Sequence, residues 1–337
     1  MSFRGNHILS IDQFNRNDIE QLFSVADKLE PFASKEKITR VLEGAILGNM
    51  FFEPSTRTRI SFGASFNLLG GSVREITEIG SSSLAKGESL ADTAQVLSGY
   101  SDIIVMRHPE NDSVKKFAEA SRVPVINGGD GSNEHPSQAL LDLYTIRKEL
   151  SQNDKTIDNL RIALVGDLKY GRAVHSLCKI LSKYKDVKLN LISPDELKLP
   201  EDLIRQMNDS RVSINQTENL EKGISEVDII YVTRVQEERF KNKKDANKYR
   251  GLLSLNQSIY TANCEPNTVI MHPLPRDSRS DANELDRDLY ENPNLAIFRQ
   301  ADNGIVIRMA MFALVLGVEE KIEETSQPVN WQVGLNS

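Results

Sequence analysis

Positive charge is not in excess here: 41 Lys and Arg stand against 48 Asp and Glu, for a formal net charge of −7. A nucleic-acid binder would normally show a basic face or a high isoelectric point. No apolar run approaches the roughly 20 residues a membrane span needs. The opening MSFRGNHILS has no apolar core of the kind a signal peptide carries. Cysteine is scarce, and Cys178 and Cys264 cannot build a disulfide framework and lack zinc-ligand spacing. Internal repeats and low-complexity tracts are absent as well. What remains is the expectation of a cytoplasmic α/β protein that binds neither nucleic acid nor membrane. Against an acidic background, any local gathering of arginine needs an explanation.

A length of 337 residues suggests about two domains. Helix-like and strand-like segments alternate throughout, which favours βαβ units around parallel sheets. In the first half, Asp18–Glu30 shows one apolar helical face after Asn17, a possible N-cap. Ala45–Phe52 reads as a strand that stops at a loop, and Arg57–Leu69 as the following helix, ended by Gly70-Gly71. Strands are expected at Val73–Ile76, Ile103–Met106 and Val123–Ile126, with helices at about Ser89–Tyr100 and Ser113–Ala120. A long helix starts after Pro136 and runs to about Leu150, and the domain boundary is expected near it. Beyond it come strands at Arg161–Val165, Leu189–Ile192, Ile229–Val232 and Val269–Met271, and a helix at Arg172–Tyr184. Lys241–Arg250 has no apolar period and reads as a mobile surface loop. Met309–Val318 is an apolar helix expected to return to the first domain, and the tail from about Thr325 reads as loosely attached.

Chemistry-bearing residues gather where strands end. Ser55-Thr56-Arg57-Thr58-Arg59 lies between a strand and a helix. A helix N-terminus offers unpaired N–H groups and partial positive charge, and hydroxyls and an arginine fork add donors for an oxyanion. Simple N-capping by Ser55 or Thr56 explains the segment equally well on its own. Arg107-His108-Pro109 follows another strand, and His135-Pro136-Ser137-Gln138 opens the long helix. A single His before a proline is more often a packing residue than a catalyst. Gly166–Arg172, Thr233-Arg234-Val235-Gln236 and His272-Pro273-Leu274-Pro275-Arg276 follow three further strands. Strand ends in parallel sheets open onto the crevice where ligands bind. Five such clusters, drawn from both halves, outweigh five unrelated structural loops. Ser81–Glu88 is small and polar, either a solvated loop or a lid delivering Ser83 and Lys86 to an anion.

Competing motifs fail at named positions. Gly166–Ala173 nearly matches a P-loop, but Arg172 and Ala173 replace the Lys and Ser/Thr that contact phosphates and Mg²⁺. Leu168 stands where a dinucleotide turn needs its second glycine. No spacing suggests a catalytic metal, and no G-x-S-x-G elbow suggests a serine hydrolase.

The string from Ser55 to Arg59 resembles the carbamoyl-phosphate motif of the aspartate/ornithine carbamoyltransferase family. The resemblance continues through Arg107, His135–Gln138 and His272–Arg276 and covers nearly the whole chain. Ser83, Lys86, Gly166–Ser176 and Thr233–Arg239 are similar to the aspartate-using branch. The Asp-x-x-x-Ser-Met-Gly signature of the ornithine-using branch is absent, and Pro273 stands where that branch has Cys.

The resemblance implies an α/β fold of two domains, each a mainly parallel sheet flanked by helices, joined by a long interdomain helix. Residues 1–150 would bind carbamoyl phosphate, with a helix at about 304–322 packing back on them. Residues 151–303 would bind aspartate, and 325–337 would form a flexible tail. The implied reaction transfers a carbamoyl group from carbamoyl phosphate to L-aspartate, giving N-carbamoyl-L-aspartate and phosphate, a step of pyrimidine biosynthesis. Ornithine or another amine is the alternative acceptor. Ser55, Thr56, Arg57 and Thr58 would hold the phosphate, and Arg107 would bridge phosphate and carbonyl oxygen. Thr58 and His135 would also approach that oxygen, where charge develops in a tetrahedral intermediate. Gln138 and the main-chain carbonyls of Leu274 and Pro275 would fix the carbamoyl NH₂. Arg172 and Arg234 would take the aspartate carboxylates, assisted by Gln236. Ser83 and Lys86 would reach a neighbouring subunit's substrates, making a homotrimer with shared active sites the working unit. No cofactor or metal is implied, and any zinc-binding regulatory partner would be a separate chain. Domain closure on substrate is expected, with Glu53 pairing with Arg172 or Arg239 in the closed form.

Overall fold

A computed structural model describes residues 2–77, 87–208, 211–240, 242–279 and 281–331. The chain divides into two compact units, one formed by Met1–Ser137 with Gly304–Ser337 and the other by Gln138–Asn303.

The first unit begins with helix α1 (Arg16–Ala33). Asn15 is its cap rather than Asn17. The Asn15 side chain accepts from Asp18 N at 3.0 Å, and the Asp18 carboxylate accepts from Asn15 N at 2.8 Å. That reciprocal pair satisfies two orphan donors and moves the start ahead of the apolar face. There follow β1 (Lys37–Ile38), β2 (Ile46–Phe51), α2 (Thr56–Leu68), β3 (Ser72–Thr77), α3 (Leu90–Leu97), β4 (Ile103–His108), α4 (Ser113–Ala120), β5 (Val125–Asp130) and α5 (Pro136–Ser151), whose course continues into the second unit. The four-stranded sheet has the order β3-β2-β4-β5 and is parallel throughout. Its central strands β2 and β4 are largely apolar and buried, as expected where helices cover a parallel sheet, whereas β3 at the edge is polar and has no buried residue. Strand β4 extends two residues beyond the apolar run, so Arg107 and His108 lie within it, and a register shift follows Met106.

The second unit carries β6 (Arg161–Gly166), α6 (Arg172–Leu181), β7 (Val187–Ile192), α7 (Glu201–Asn208), β8 (Val212–Thr217), α8 (Leu220–Ile224), β9 (Ile229–Thr233), α9 (Lys243–Ala246), α10 (Gln257–Asn263), β10 (Val269–Met271) and the first part of α11 (Ile297–Leu316). Its five strands are parallel in the order β10-β9-β6-β7-β8. Strand β8 has no apolar run because it is an edge strand with a mostly exposed face. The segment read as a surface loop at 241–250 contains α9 and a further helical turn, with Ala246 and Tyr249 buried.

Helix α11 is twice the length its apolar stretch suggests. Its first turns are polar, and they are held by α5. Arg299 Nε donates to Glu149 at 2.7 Å, Gln300 Nε2 to Asp142 at 2.7 Å and Asn303 Nδ2 to Thr145 at 2.9 Å. Its later turns belong to the first unit, where Phe312 packs edge-on against Phe62 and Phe66, with ring centroids 5.9 and 5.0 Å away. Such pairs add about 0.5–1.5 kcal/mol beyond area burial. Strand β11 (Gln327–Pro328) then pairs antiparallel with β1, so this part of the tail is anchored.

Each of the two parallel sheets has one place where chain order reverses. In the first unit it lies between β2 and β4, and in the second between β6 and β9. Ligands of open α/β sheets bind outside the carboxyl ends of strands at such points.

Candidate active site

In the first unit, the carboxyl ends of β2 and β4 bring Ser55 and Arg107 together. Arg107 donates from Nε to Glu53 at 2.9 Å and from Nη1 to Ser55 Oγ at 3.2 Å. Ser55 occupies the N-cap position of α2 with extended backbone, but its hydroxyl makes no capping bond. Simple capping therefore does not account for it. Thr56, Arg57 and Thr58 form the first turn, whose N–H groups have no intrahelical partners. No acidic residue sits in that turn, although Asp or Glu would be favoured at the positive end of a helix. A cation in their place, with hydroxyls beside it, suits an incoming oxyanion. His135 is buried at the start of α5, with Nδ1 3.4 Å from Ser137 Oγ. Within this unit Glu53 is engaged with Arg107, at 12% and 18% side-chain exposure for Arg107 and Glu53.

In the second unit, the exits of β6 and β9 are tied by Asp167, a fully buried residue with no role in the sequence reading. Its carboxylate accepts from Tyr170 N at 3.0 Å and from Gln236 N at 2.9 Å. Burial pushes the Asp167 carboxyl up, against backbone donors that pull it down. Gly166 is required where β6 ends, because a Cβ there would stand 2.1 Å from Thr233 O and its φ is +116°. Arg172 is the first residue of α6, half-buried at that helix's positive end. Arg234 follows β9, and its fork is held by Glu238 at 3.1 and 2.5 Å. Burial works against ionised Glu238, but the Arg234 fork prevails and holds the carboxyl below its ordinary range. Gln236 Nε2 donates to Arg234 O at 3.1 Å, which fixes the turn they share.

Leu274 and Pro275 follow β10, and the peptide bond between them is cis. His272 is buried just before them. Its Nδ1 accepts from Leu274 N at 2.8 Å, so the proton lies on Nε2, which donates to Glu284 at 2.8 Å. Burial holds the His272 pKa below its ordinary value, against the pull of Glu284. Gln138, on α5, donates from Nε2 to Asp142 at 2.9 Å. Ser83 and Lys86 lie outside the described residues.

Asp142 and Asp167 escape a sequence reading because each has a distant partner: Asp142 meets Gln300 158 positions away and Asp167 meets Gln236 69 positions away. The local signal for Asp167 is an acidic residue directly after a strand.

A family profile described as "Aspartate/ornithine carbamoyltransferase, carbamoyl-P binding domain" matches residues 6–148. One described as "Aspartate/ornithine carbamoyltransferase, Asp/Orn binding domain" matches residues 158–315. The chain is 63% identical, over 98% of each sequence, to the aspartate carbamoyltransferase catalytic subunit of Saccharophagus degradans. It resembles the crystal structure of aspartate transcarbamoylase from Trypanosoma cruzi in complex with carbamoyl phosphate and aspartate at a TM-score of 0.86 and 36% identity, covering 94% of this chain and 98% of that one. It resembles the catalytic subunit of the M. jannaschii enzyme at a TM-score of 0.83 and 41% identity, covering 94% and 99%. Taken with the two parallel sheets and the arginines at their switch points, these matches establish that the chain belongs to the aspartate/ornithine carbamoyltransferase family.

Proposed function

We propose that this enzyme transfers the carbamoyl group of carbamoyl phosphate to the amine of L-aspartate, giving N-carbamoyl-L-aspartate and phosphate. The product belongs to pyrimidine biosynthesis. The observation that carries the reading is the join of Ser55 and Arg107 at the β2–β4 switch point, beside a helix start that holds a cation and no acid. The Trypanosoma cruzi relative, crystallised with carbamoyl phosphate and aspartate, supports it.

The amine nitrogen attacks the carbamoyl carbon and a C–N bond forms, while the carbonyl electron pair moves onto oxygen. Collapse of this tetrahedral species breaks the C–O bond to phosphorus, and the leaving phosphate takes the amine proton. Ser55, Thr56, Arg57 and Thr58 hold the phosphate. Arg107, Thr58 and His135 stabilise the oxygen as charge develops, a role worth several kcal/mol for donors fixed in advance. Gln138 and the carbonyls of Leu274 and Pro275 accept from the carbamoyl NH₂. Arg172 and Arg234 bind the aspartate carboxylates, with Gln236 assisting. The anhydride is already activated, so positioning and electrostatics suffice without a cofactor.

The chain works as a cytoplasmic homotrimer in which Ser83 and Lys86 serve a neighbouring subunit, with regulatory chains, where present, as separate polypeptides. Support for this is the family pattern of the 81–88 segment. The test is phosphate release by the purified chain from carbamoyl phosphate, with aspartate or ornithine as acceptor, alongside sizing in the same buffer. Release that depends on aspartate, from a particle of three chains, is expected. Release with ornithine alone, or an active monomer, contradicts the corresponding part.

A further inference from the structure

Gln138 and the segment Leu274-Pro275 are far apart in sequence but lie on one chain of hydrogen bonds. Its centre is Asp142, fully buried on α5 one turn after Gln138. Asp142 Oδ1 accepts from Gln138 Nε2 at 2.9 Å and from Gln300 Nε2 at 2.7 Å. Asp142 Oδ2 accepts from the Tyr231 hydroxyl at 2.7 Å. Gln300 Oε1 in turn accepts from His272 N at 2.9 Å, and His272 Nδ1 from Leu274 N at 2.8 Å.

A primary amide has two ends of the same shape and opposite hydrogen-bonding character. Its neighbours decide which end faces which way. A carboxylate can only accept, so Asp142 draws the NH₂ of both glutamines to itself. Each glutamine carbonyl is then turned away from Asp142. That of Gln300 meets the His272 N–H, which sets the ring that pins Leu274. That of Gln138 is presented as an acceptor.

We propose that Asp142 is a positioning residue that sets the polarity of the carbamoyl subsite, turning acceptors towards the substrate NH₂ and thereby selecting a carbamoyl donor over an acyl phosphate of the same shape. The proposal rests on the assignment of Gln138, Leu274 and Pro275 to the carbamoyl NH₂. A site built around a donor on its substrate rejects the analogue lacking it, because a buried acceptor is then left unpaired. Acetyl phosphate is that analogue, with a methyl group in place of NH₂. Its acetyl group would pass to the same amine, with phosphate leaving.

The test compares kcat/KM for carbamoyl phosphate and acetyl phosphate, at fixed aspartate, in the wild-type chain, D142A and D142N. In D142A the Gln138 amide is free to turn its NH₂ to the substrate, donor against donor. The carbamoyl-to-acetyl ratio is expected to fall about tenfold or more, with the KM for aspartate within about twofold. In D142N the new carbonyl oxygen can take the Oδ1 position while its NH₂ donates to the Tyr231 oxygen, so the ratio stays within about threefold. Equal losses on both donors in D142A, as a purely structural role would give, overturn the proposal. So does a folded D142N that loses the discrimination, an arm that stands even if D142A fails to fold. A wild-type chain that makes carbamoyl aspartate while D142A keeps its ratio defeats this proposal alone. A wild-type chain that uses neither donor defeats the reading of the reaction beneath it.

Discussion

One pair of substitutions separates the ion pair of Arg107 from the catalytic role proposed for it. Its guanidinium is held at 2.9 Å by Glu53 and reaches Ser55 Oγ at 3.2 Å. In R107A the Glu53 carboxylate loses that partner in surroundings where it is only 18% exposed. Breaking a fully buried pair costs about 3–5 kcal/mol, and the residual exposure brings this to about 2–3 kcal/mol. Thermal unfolding should then shift down by roughly 5–10 °C. On the proposed mechanism, catalysis should also lose a donor at the developing oxyanion, about 10²–10³ in kcat. The double variant R107A/E53Q also removes the carboxylate charge that Arg107 faces. Most of the stability should return, and none of the activity. The assays are a melting curve and the rate of carbamoyl aspartate formation, measured on the same preparations. Recovery of activity in the double variant would refute the reasoning, since Arg107 would then matter only by neutralising Glu53. An unchanged melting temperature in R107A would refute the pairing.

Two further outcomes follow from the second unit. R234A removes the fork now held by Glu238, and should raise the KM for aspartate about tenfold or more while that for carbamoyl phosphate stays within about threefold; equal changes in both would contradict an aspartate-specific role. Glu237 is bonded by Arg250 at 2.7 and 2.9 Å and by Arg279 at 2.6 Å, and these bonds, chiefly that of Arg250, lower its pKa from near 4.5 to about 2. A carboxyl depressed in the folded state stabilises it above its unfolded pKa, and the contribution is lost as pH falls towards the folded value. Melting of the wild-type chain should therefore decline more steeply than that of E237Q between pH 5 and 3, and parallel curves would contradict the linkage.

The parallel α/β architecture was legible because buried strands are short apolar runs, and Ile46–Phe51, Ile103–His108, Arg161–Gly166 and Ile229–Thr233 each end at a polar cluster. The positions of Ser55, Arg107, Arg172 and Arg234 follow from those strand ends. Strand order does not. That β2 and β4, or β6 and β9, are neighbours comes only from the pairing. Elements whose burial depends on polar partners were also hidden. The first turns of α11 read as hydrophilic until Gln300 and Asn303 meet α5, and β8 lacks an apolar run because it lies at an edge. Asp142 was hidden because it also meets Gln300 and Tyr231, 158 and 89 positions away.

The proposed reaction forms a C–N bond between the carbamoyl carbon and the aspartate amine. Incubating the purified chain with ¹³C-labelled carbamoyl phosphate and ¹⁵N-labelled aspartate tests it directly by nuclear magnetic resonance. A product carbon split by one-bond coupling to ¹⁵N is expected, growing as the carbamoyl phosphate signal declines, and suppressed in R107A. Loss of carbamoyl phosphate at the buffer rate, with no coupled product, would contradict it.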